Sequence, residues 1–549
     1  MLMKKVSLIL LLLCFSVFLC NYGHAQQQSS RPAPPMLPVT GPFEPNYESL
    51  SKQYDCPEWF RDAKFGIWAH WGPNSVAEYG DWFPRRMYIQ NNTWAFPDLA
   101  PAYTYHLNKY GHPSEHGFKD LIPLFKAEKW DPEALMKLYK KAGARYFMAM
   151  GMHHDNFDLW DSKYQPWNSV NMGPKRDMLK EWQQAAKHND LKFGVSNHGA
   201  GTWRYWEITR MADTAGPKKG VPYDGWLTKA DGKGKWWEGY DPRDLYGQPH
   251  KGGQPAYAGP FPDNSGDPPD SLFQASLINR MKDVIDNYHP DLIYYDGGLP
   301  FGRLDFASYY YNESRKWHRG KADVAINIKG VRTEQQQKAV VADFENAQSD
   351  ILRKFPWQTD TSVDGWFYTN PVHLVTPGRG PTPTKDVILQ LVDIVSKNGN
   401  LLLNINLRSD GTILEASYKF LDEMAKWMDI NSEAIHGTRP WEIFGEGPTN
   451  ATATTGNKSN RPKEYTAEDI RFTTKGKNLY AVLMSWPGKE VTIKSLPKGK
   501  SLWLGDIKSI QMLGSKSQIK WVQNDNGITV QLPANKPSEY ACILKISGK

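Results

Sequence analysis

A carboxylate at the end of an apolar run is the strongest chemical signal in this sequence. Residues 290–298 read Pro-Asp-Leu-Ile-Tyr-Tyr-Asp-Gly-Gly, so Asp296 directly follows a predicted buried strand. In a barrel of parallel strands, a side chain at the C-terminal end of a strand lies at the active-site face. A carboxylate placed there suits nucleophilic catalysis. An Asp that caps the turn before Gly297 would give the same local pattern, so both interpretations stay open at this point.

Histidines follow two other apolar runs. His70 comes after the first run, and the pair His153 and His154 comes after the second; Asp81 and Trp82 lie a short distance beyond His70. No HExxH or similar metal-binding spacing accompanies the pair, so the sequence predicts no metal site. Hydrogen bonds from the imidazoles to substrate hydroxyl groups explain these histidines better. A structural pair that holds loop carbonyls is the alternative.

The elements that would position these residues follow a repeated pattern. From Asp55 to about residue 430, helical patterns alternate with short apolar runs, as is typical of a parallel sheet wrapped by helices. Four helix and strand pairs are predicted: 131–143 with 146–150, 176–188 with 191–195, 272–287 with 292–295, and 386–396 with 401–405. At this length, the repeat predicts an α/β fold of the TIM-like (β/α) barrel type.

Two regions depart from this repeat. Residues 200–269 are rich in Gly, Pro, Trp and Tyr and predict a long functional loop at the active-site face. After Trp441, alternating apolar runs predict a small antiparallel β-sandwich. The predicted organisation is a signal peptide at 1–25, a disordered leader at 26–54, a (β/α) barrel catalytic domain at 55–435 and a C-terminal β-sandwich domain at 436–549.

The N-terminus predicts export. Two lysines precede the apolar run 6–20, and small residues precede Gln26, which is the pattern of a cleaved signal peptide. The run is too short to span a bilayer and no later stretch approaches the required ~20 residues, so no transmembrane segment is predicted. We expect secretion across an inner membrane into the periplasm. A surface lipoprotein modified on Cys20 is the less favoured alternative, because Leu19 stands where lipoprotein signals usually have a small residue.

Composition narrows the class of protein further. The formal net charge of +7 is not concentrated in a basic block, so a nucleic-acid partner is not expected. The aromatic fraction of 13% suits either stacking on sugar rings or a bulky core. After signal cleavage only Cys56 and Cys542 remain, at opposite ends of the chain, which predicts neither a disulfide framework nor a metal cluster.

Taken together and in this order, the motifs resemble the α-L-fucosidase family, glycoside hydrolase family 29. The resemblance runs from Trp59 to the end of the chain and includes the stretches 63–75, 142–164, 173–177, 291–297, 391–404 and 445–449. It implies a retaining exo-glycosidase that removes terminal α-L-fucosides from oligosaccharides or polysaccharides through a glycosyl-enzyme intermediate, without cofactor or metal. It also implies that Asp296 is the nucleophile and that His70, Trp82, His153 and His154 contact the sugar.

The general acid/base does not follow the family pattern. Aligned without a gap, Gln348 falls where the family has the acid/base Glu. A Gln side chain cannot donate a proton to the leaving oxygen, so Glu345 is the candidate. A solvated loop Glu is the alternative interpretation of Glu345.

Other departures concern the sugar pocket. Asp81 replaces a Glu, Tyr294 stands where the family often has Trp, Lys329 stands about where an Arg is expected, and the stretch 196–198 replaces aromatic residues. We therefore keep an exo-α-L-galactosidase as an alternative function. Its substrate could be 6-sulfated L-galactose of an algal-type galactan, with Lys329 or loop cations near the sulfate. A catalytically impaired glycan-binding homologue, suggested by Gln348, is the third interpretation.

Overall fold

Eight parallel strands close into a barrel. The computed structural model describes residues 36–90, 101–250, 266–374, 381–450, 464–499 and 506–548. Each strand pairs with the next along the chain, and β8 pairs with β1. The strands are β1 Phe65–Ala69, β2 Tyr146–Met152, β3 Lys192–Asn197, β4 Leu292–Tyr295, β5 Ala325–Ile328, β6 Val341–Asp343, β7 Trp357–Ser362 and β8 Gly399–Asn404. The predicted (β/α) barrel is confirmed.

Helices surround this barrel and fill its connections. The α-helices of the described ranges are α1 Tyr47–Gln53, α2 Glu58–Ala63, α3 Phe83–Arg86, α4 Ala102–Lys109, α5 Pro132–Lys141, α6 Met178–His188, α7 Thr202–Tyr205, α8 Pro242–Tyr246, α9 Ser271–Tyr288, α10 Asp305–Trp317, α11 Glu334–Ala339, α12 Thr384–Ser396 and α13 Glu415–Asn431. Within the described residues, no helix combines the length and apolar character of a membrane span.

Side chains fill the barrel interior. Gly66 on β1 lies opposite Tyr146 on β2, and a Cβ atom at position 66 would stand 2.4 Å from the tyrosine ring. Only glycine therefore lets Tyr146 cross the barrel, where its hydroxyl group donates to Gln358 Oε1 on β7 at 2.9 Å. This packed floor closes the barrel beneath its C-terminal face.

The structure is ordered over part of the segment that was predicted to be a disordered leader. Residues 36–54 were expected to be disordered, but α1 lies within them and packs against α11. Leu37, Phe43 and Leu50 are buried in a core with α9 and α10, and the Phe43 amide donates to Asn312 Oδ1 at 3.0 Å. The reason is that this segment wraps around the outer helices, so its few apolar anchors follow no helical or strand period. The predicted signal peptide and residues 26–35 lie outside the described residues.

A β-sandwich follows the barrel. Its strands are β9 Arg439–Glu446, β10 Ile470–Lys475, β11 Asn478–Leu483, β12 Glu490–Ile493, β13 Ile507–Met512, β14 Trp521–Asn524, β15 Gly527–Gln531 and β16 Cys542–Gly548. They form a five-stranded antiparallel sheet in the order β13-β16-β11-β10-β9 and a three-stranded sheet in the order β12-β15-β14. Apolar side chains of both sheets share one core, as predicted. The predicted domain boundary at 435/436 falls between the end of α13 and the start of β9.

A buried charge cluster joins the two domains. Asp393 on α12 accepts hydrogen bonds from Lys397 Nζ at 2.8 Å and from Arg471 Nε on β10 at 2.7 Å. All three side chains are at most 1% exposed. The carboxylate therefore compensates one cation from each domain.

Replacing Asp393 with Asn is expected to lower the free energy of unfolding by about 3–5 kcal/mol, because two buried cations lose their shared counter-ion. Chemical denaturation followed by tryptophan fluorescence measures the change. Asp422→Asn is the matched control, since Asp422 and Lys426 form an ion pair on exposed α13 surface. An equal effect of both substitutions would contradict the structural role of Asp393.

Candidate active site

The predicted site residues converge at one end of the barrel. His70, His153 and Asp296 each directly follow the last residue of their strand, which is β1, β2 and β4 respectively, and Lys329 directly follows β5. Because all strands of the barrel are parallel, their C-terminal ends meet at the same face. The structure thus brings together side chains that lie up to about 260 positions apart in the chain, as the difference between residues 70 and 329 shows.

Lys329 links two carboxylates. Its Nζ donates to Asp296 Oδ1 at 2.7 Å and to Glu345 Oε2 at 2.7 Å. Two bonds that meet at one atom place these oxygens no more than twice 2.7 Å apart, which is 5.4 Å. In retaining glycosidases the nucleophile and the acid/base lie roughly 5–5.5 Å apart, whereas inverting enzymes need about 6.5–9.5 Å to admit a water molecule.

The surroundings keep Asp296 ionised. Burial by itself raises the pKa of this carboxyl group, but the charge of Lys329, with smaller contributions from His154 and His153, lowers it to about 2. In turn, burial lowers the pKa of Lys329, and the charges of Asp296, Asp360 and Glu345 reverse this and raise it above its ordinary value. The carboxylate is therefore available as a nucleophile at any physiological pH.

The turn after β6 places Glu345, and not Gln348, beside Lys329. Phe344 N donates to Gln358 O at 3.0 Å and Asn346 N donates to Asp360 O at 2.8 Å, so the backbone on both sides of Glu345 is held along β7. The Glu345 side chain is 38% exposed and reaches Lys329. Gln348 is buried, and its Oε1 has no hydrogen-bond partner among the described residues. The assignment of the acid/base to Glu345 stays a prediction, and the geometry favours it.

A second pair of carboxyl groups lies below this site. Burial, followed by the neighbouring Asp360, raises the pKa of Asp343 well above its usual range. Burial likewise raises the pKa of Asp360 to about 6, although Lys329 opposes the shift. The Tyr294 hydroxyl group donates to Asp360 Oδ2 at 3.3 Å. Tyr294 is fully buried, so the structure places it in the floor of the site, and its predicted contact with the sugar stays a prediction.

His154 and Trp82 form one wall beside Asp296. His154 Nδ1 donates to the His198 carbonyl oxygen at 2.9 Å, which turns Nε2 toward Asp296 Oδ2 at 3.6 Å. The Trp82 ring lies 5.0 Å from the His154 ring, centroid to centroid. Asp81 precedes Trp82 in the chain. Burial, helped by the charges of Glu345 and Asp296, raises the pKa of Asp81 to about 7. Asp81 is thus within electrostatic range of both candidate catalytic carboxylates.

Asn404 fixes the orientation of His70. Its side-chain Nδ2 donates to the carbonyl oxygens of Gly365 and Trp366, so its Oδ1 is the acceptor for the His70 backbone amide at 2.9 Å and for His70 Nδ1 at 3.0 Å. His70 therefore carries its proton on Nδ1 and leaves Nε2 as an acceptor. Burial lowers the pKa of His70 to about 3, so the ring is neutral.

Several members of the site were not predicted as functional residues. Asp360 and Asn404 lie on β7 and β8, and Trp366 lies 4.9 Å from His70, measured between ring centroids. His198 was noted only as a departure from an aromatic stretch, yet it stands among the other histidines. One ring nitrogen from each of His70, His153 and His198 lies within 4.8 Å of the others, which is an arrangement able to hold a metal ion.

Lys329→Met is expected to move the acid limb of the pH profile of kcat/KM upward by about 1–3 pH units. Without the lysine charge, burial raises the pKa of Asp296, so a higher pH is needed to ionise this candidate nucleophile. Measurement with a para-nitrophenyl α-L-glycoside between pH 3 and pH 8 tests this shift. Lys329→Arg, which keeps the charge, is the control; an unchanged acid limb in Lys329→Met would contradict the role of Lys329.

Sequence comparison identifies the family. A family model described as Alpha-L-fucosidase matches residues 36–433, and one described as Alpha-L-fucosidase C-terminal domain matches residues 463–547. Tissue alpha-L-fucosidase of Bos taurus is 25% identical over 523 residues, covering 92% of this chain and 91% of the relative. The Mus musculus tissue enzyme is 26% identical over 524 residues, with 92% and 94% coverage.

Solved structures share the fold. The alpha-fucosidase of Thermotoga maritima superposes with a TM-score of 0.64 at 24% identity, covering 92% of this chain and all of the other. An alpha-L-fucosidase of Bacteroides thetaiotaomicron, solved as a trapped covalent intermediate, gives a TM-score of 0.56 at 16% identity, with 90% and 98% coverage. Since the first family match spans well over half of the chain, this protein belongs to the α-L-fucosidase family of glycoside hydrolases, family 29.

Proposed function

We propose that this chain hydrolyses terminal α-L-fucosides of oligosaccharides or polysaccharides with net retention, through a covalent glycosyl-enzyme intermediate. The observation that supports this proposal best is the arrangement of Asp296 and Glu345, whose bonded oxygens lie at most 5.4 Å apart across Lys329. That separation leaves no room for the water molecule of a direct displacement, and it suits a nucleophile and an acid/base on opposite sides of one glycosidic bond.

The first chemical step uses both carboxyl groups. Asp296 Oδ attacks the anomeric carbon while the glycosidic C–O bond breaks, and Glu345 gives its proton to the departing oxygen. In the second step Glu345 takes a proton from water, the water oxygen bonds to the anomeric carbon, and the Asp296 ester bond breaks. Two inversions at the same carbon give net retention.

Lys329 suits this sequence of charges. Before the first step the negative charge lies on Asp296, and in the intermediate it lies on Glu345, because Asp296 has become a neutral ester. Lys329 Nζ is hydrogen-bonded to both groups, so a positive charge stays beside the anion in either state. Such a fixed charge stabilises the reacting groups without reorganisation.

The histidines would orient the sugar. Nε2 of His70 is a hydrogen-bond acceptor, because Nδ1 of that ring donates to Asn404 Oδ1, whereas Nε2 of His154 faces Asp296 Oδ2. His70 Nε2 can accept a hydrogen bond from a sugar hydroxyl group. The aromatic faces of Trp82 and Trp366 lie beside these rings and can pack on the apolar face of the sugar.

An α-L-galactoside is the second candidate substrate. His198, where the resemblance expected an aromatic stretch, adds a polar ring to the pocket, and L-galactose carries one hydroxyl group more than L-fucose. A sulfate held by Lys329 gains no support, because Lys329 already pairs with two carboxylates.

We further propose export to the periplasm, on the basis of the N-terminal signal sequence alone.

Hydrolysis of para-nitrophenyl α-L-fucoside and para-nitrophenyl α-L-galactoside by the purified chain tests the substrate. A higher kcat/KM for the fucoside supports the proposal, and a higher value for the galactoside would replace it with the second candidate. His198→Phe is the matched variant, since it should lower activity on the galactoside selectively. Cleavage of neither substrate would support the glycan-binding interpretation.

A further inference from the structure

Three histidines from adjacent strands meet at the floor of the pocket. His70, His153 and His198 directly follow the last residues of β1, β2 and β3, which are neighbours in the barrel. Their ring centroids are 5.8 Å apart for His70 and His153, 5.5 Å for His70 and His198, and 4.7 Å for His153 and His198. All three side chains are buried. The cluster is thus fixed by the barrel itself, and not by a mobile loop.

Each imidazole offers an unpaired nitrogen. His70 donates through Nδ1 to Asn404, which leaves the Nε2 lone pair free. The Nδ1 atoms of His153 and His198 are buried and have no hydrogen-bond partner among the described residues. Buried polar atoms without a partner are costly and call for a bound group. One ring nitrogen from each of the three histidines lies within 4.8 Å of the other two.

We propose that His70, His153 and His198 bind one divalent transition-metal ion of the Zn²⁺ class in the free enzyme. Imidazole nitrogen suits Zn²⁺, Cu²⁺ and Ni²⁺, and three histidines with an open fourth position form a known type of zinc site. The hydrogen bond from His70 Nδ1 to Asn404 Oδ1 is the kind of outer contact that fixes a metal-binding imidazole.

The same atoms cannot serve a metal ion and a sugar at once. The proposed sugar orientation uses the free nitrogen of His70, so a bound ion would exclude the substrate and inhibit hydrolysis competitively. This consequence rests on the proposed function, whereas the metal site itself does not. His198 supplies the third ligand, beside His70 and His153.

Titration of the full chain with Zn²⁺ by calorimetry, and with Co²⁺ by visible absorption, tests the site. We expect one ion per chain, tetrahedral Co²⁺ bands, and full reversal by a chelator. His198→Phe should weaken binding by more than about 100-fold, since even loss of an outer contact costs 10–100-fold. His188→Ala removes an exposed histidine on α6 and should change nothing. Equal binding by wild type and His198→Phe, or loss of binding in His188→Ala, would overturn the proposal.

Competition with L-fucose separates this inference from the proposed function. Displacement of Co²⁺ by L-fucose supports both. If L-fucose does not displace the bound metal, the claim that sugar and metal compete for His70 would be overturned. The three-histidine site would still be supported by the His198→Phe result. Hydrolysis of the fucoside by a chain that binds no metal would overturn the metal site and leave the proposed function intact.

Discussion

Asp296→Gly is expected to lower kcat/KM for para-nitrophenyl α-L-fucoside by about 10⁴-fold or more, which is the scale seen when a residue that acts as part of a catalytic unit is removed. The reason is that the neighbouring carboxyl groups are not placed to replace Asp296: Glu345 bonds to Lys329 as the proposed acid/base, and Asp360 is buried in the floor. Sodium azide should restore turnover by entering the space left by the side chain, and should give a fucosyl azide of inverted configuration.

Asp291→Asn is the control for effects on folding. Asp291 lies immediately before the same strand, at its opposite end, where it bonds to Lys192 Nζ at 2.7 Å. This variant should keep nearly full activity, because the substituted group is far from the C-terminal face. If Asp296→Gly retained more than a tenth of the wild-type kcat/KM, the assignment of the nucleophile would be wrong.

Glu345→Gln is expected to lower kcat/KM by about 10²–10⁴-fold on fucosides whose leaving group is an ordinary alcohol, the range typical of general acid catalysis. On a dinitrophenyl α-L-fucoside the fall in kcat/KM should be small, because that leaving group departs without a proton. The dependence of kcat/KM on the pKa of the leaving group, measured over a series of aryl fucosides, should therefore be steeper for the variant than for the wild type.

Gln348 supplies the comparison for this prediction. It occupies the position that an ungapped alignment assigns to the acid/base, but it is buried in the turn behind Glu345. Gln348→Ala should leave the dependence on leaving group unchanged. If the dependence steepened in Gln348→Ala and not in Glu345→Gln, the proton would reach the leaving group by a route through residue 348.

The C-terminal ends of several barrel strands were predictable because each strand is an apolar run followed by a polar residue. The run before Asp296 is apolar, Pro290 precedes it and Gly297 follows it, and the predicted strand at 292–295 matches β4. The same holds for β2, and for the helix and strand around 386–405. Such buried strands are continuous apolar runs, and a polar residue that follows one must lie at a strand end.

Strands β5, β6 and β7 were not predictable from patterns. The short strand β5 is interrupted by the polar Asn327, β6 contains only three residues, and β7 reads Trp-Gln-Thr-Asp-Thr-Ser, which is mostly polar. Gln358 and Asp360 face the barrel interior, where they form a buried network with Tyr146 and Asp343. A hydrophobic period cannot reveal strands whose interior residues pair with one another.

Neither the role of Lys329 nor the histidine cluster could be predicted from spacing. Lys329 was expected to stand in place of an arginine, but only the closed barrel shows that it lies between Asp296 and Glu345. Likewise, His198 lies 45 residues after His153, and their meeting depends on the pairing of β2 with β3. Contacts between strands are set by tertiary packing, which a local pattern does not encode.

The configuration of the first sugar released tests the central claim most directly. Proton NMR during rapid hydrolysis of an aryl α-L-fucoside by the wild-type chain distinguishes the two anomers before they equilibrate in water. The account predicts that α-L-fucose appears first and β-L-fucose only later, by mutarotation, because Asp296 and Glu345 lie close enough for two successive displacements. Initial release of β-L-fucose would mean a single displacement by water, and would contradict the assignment of Asp296 as the nucleophile.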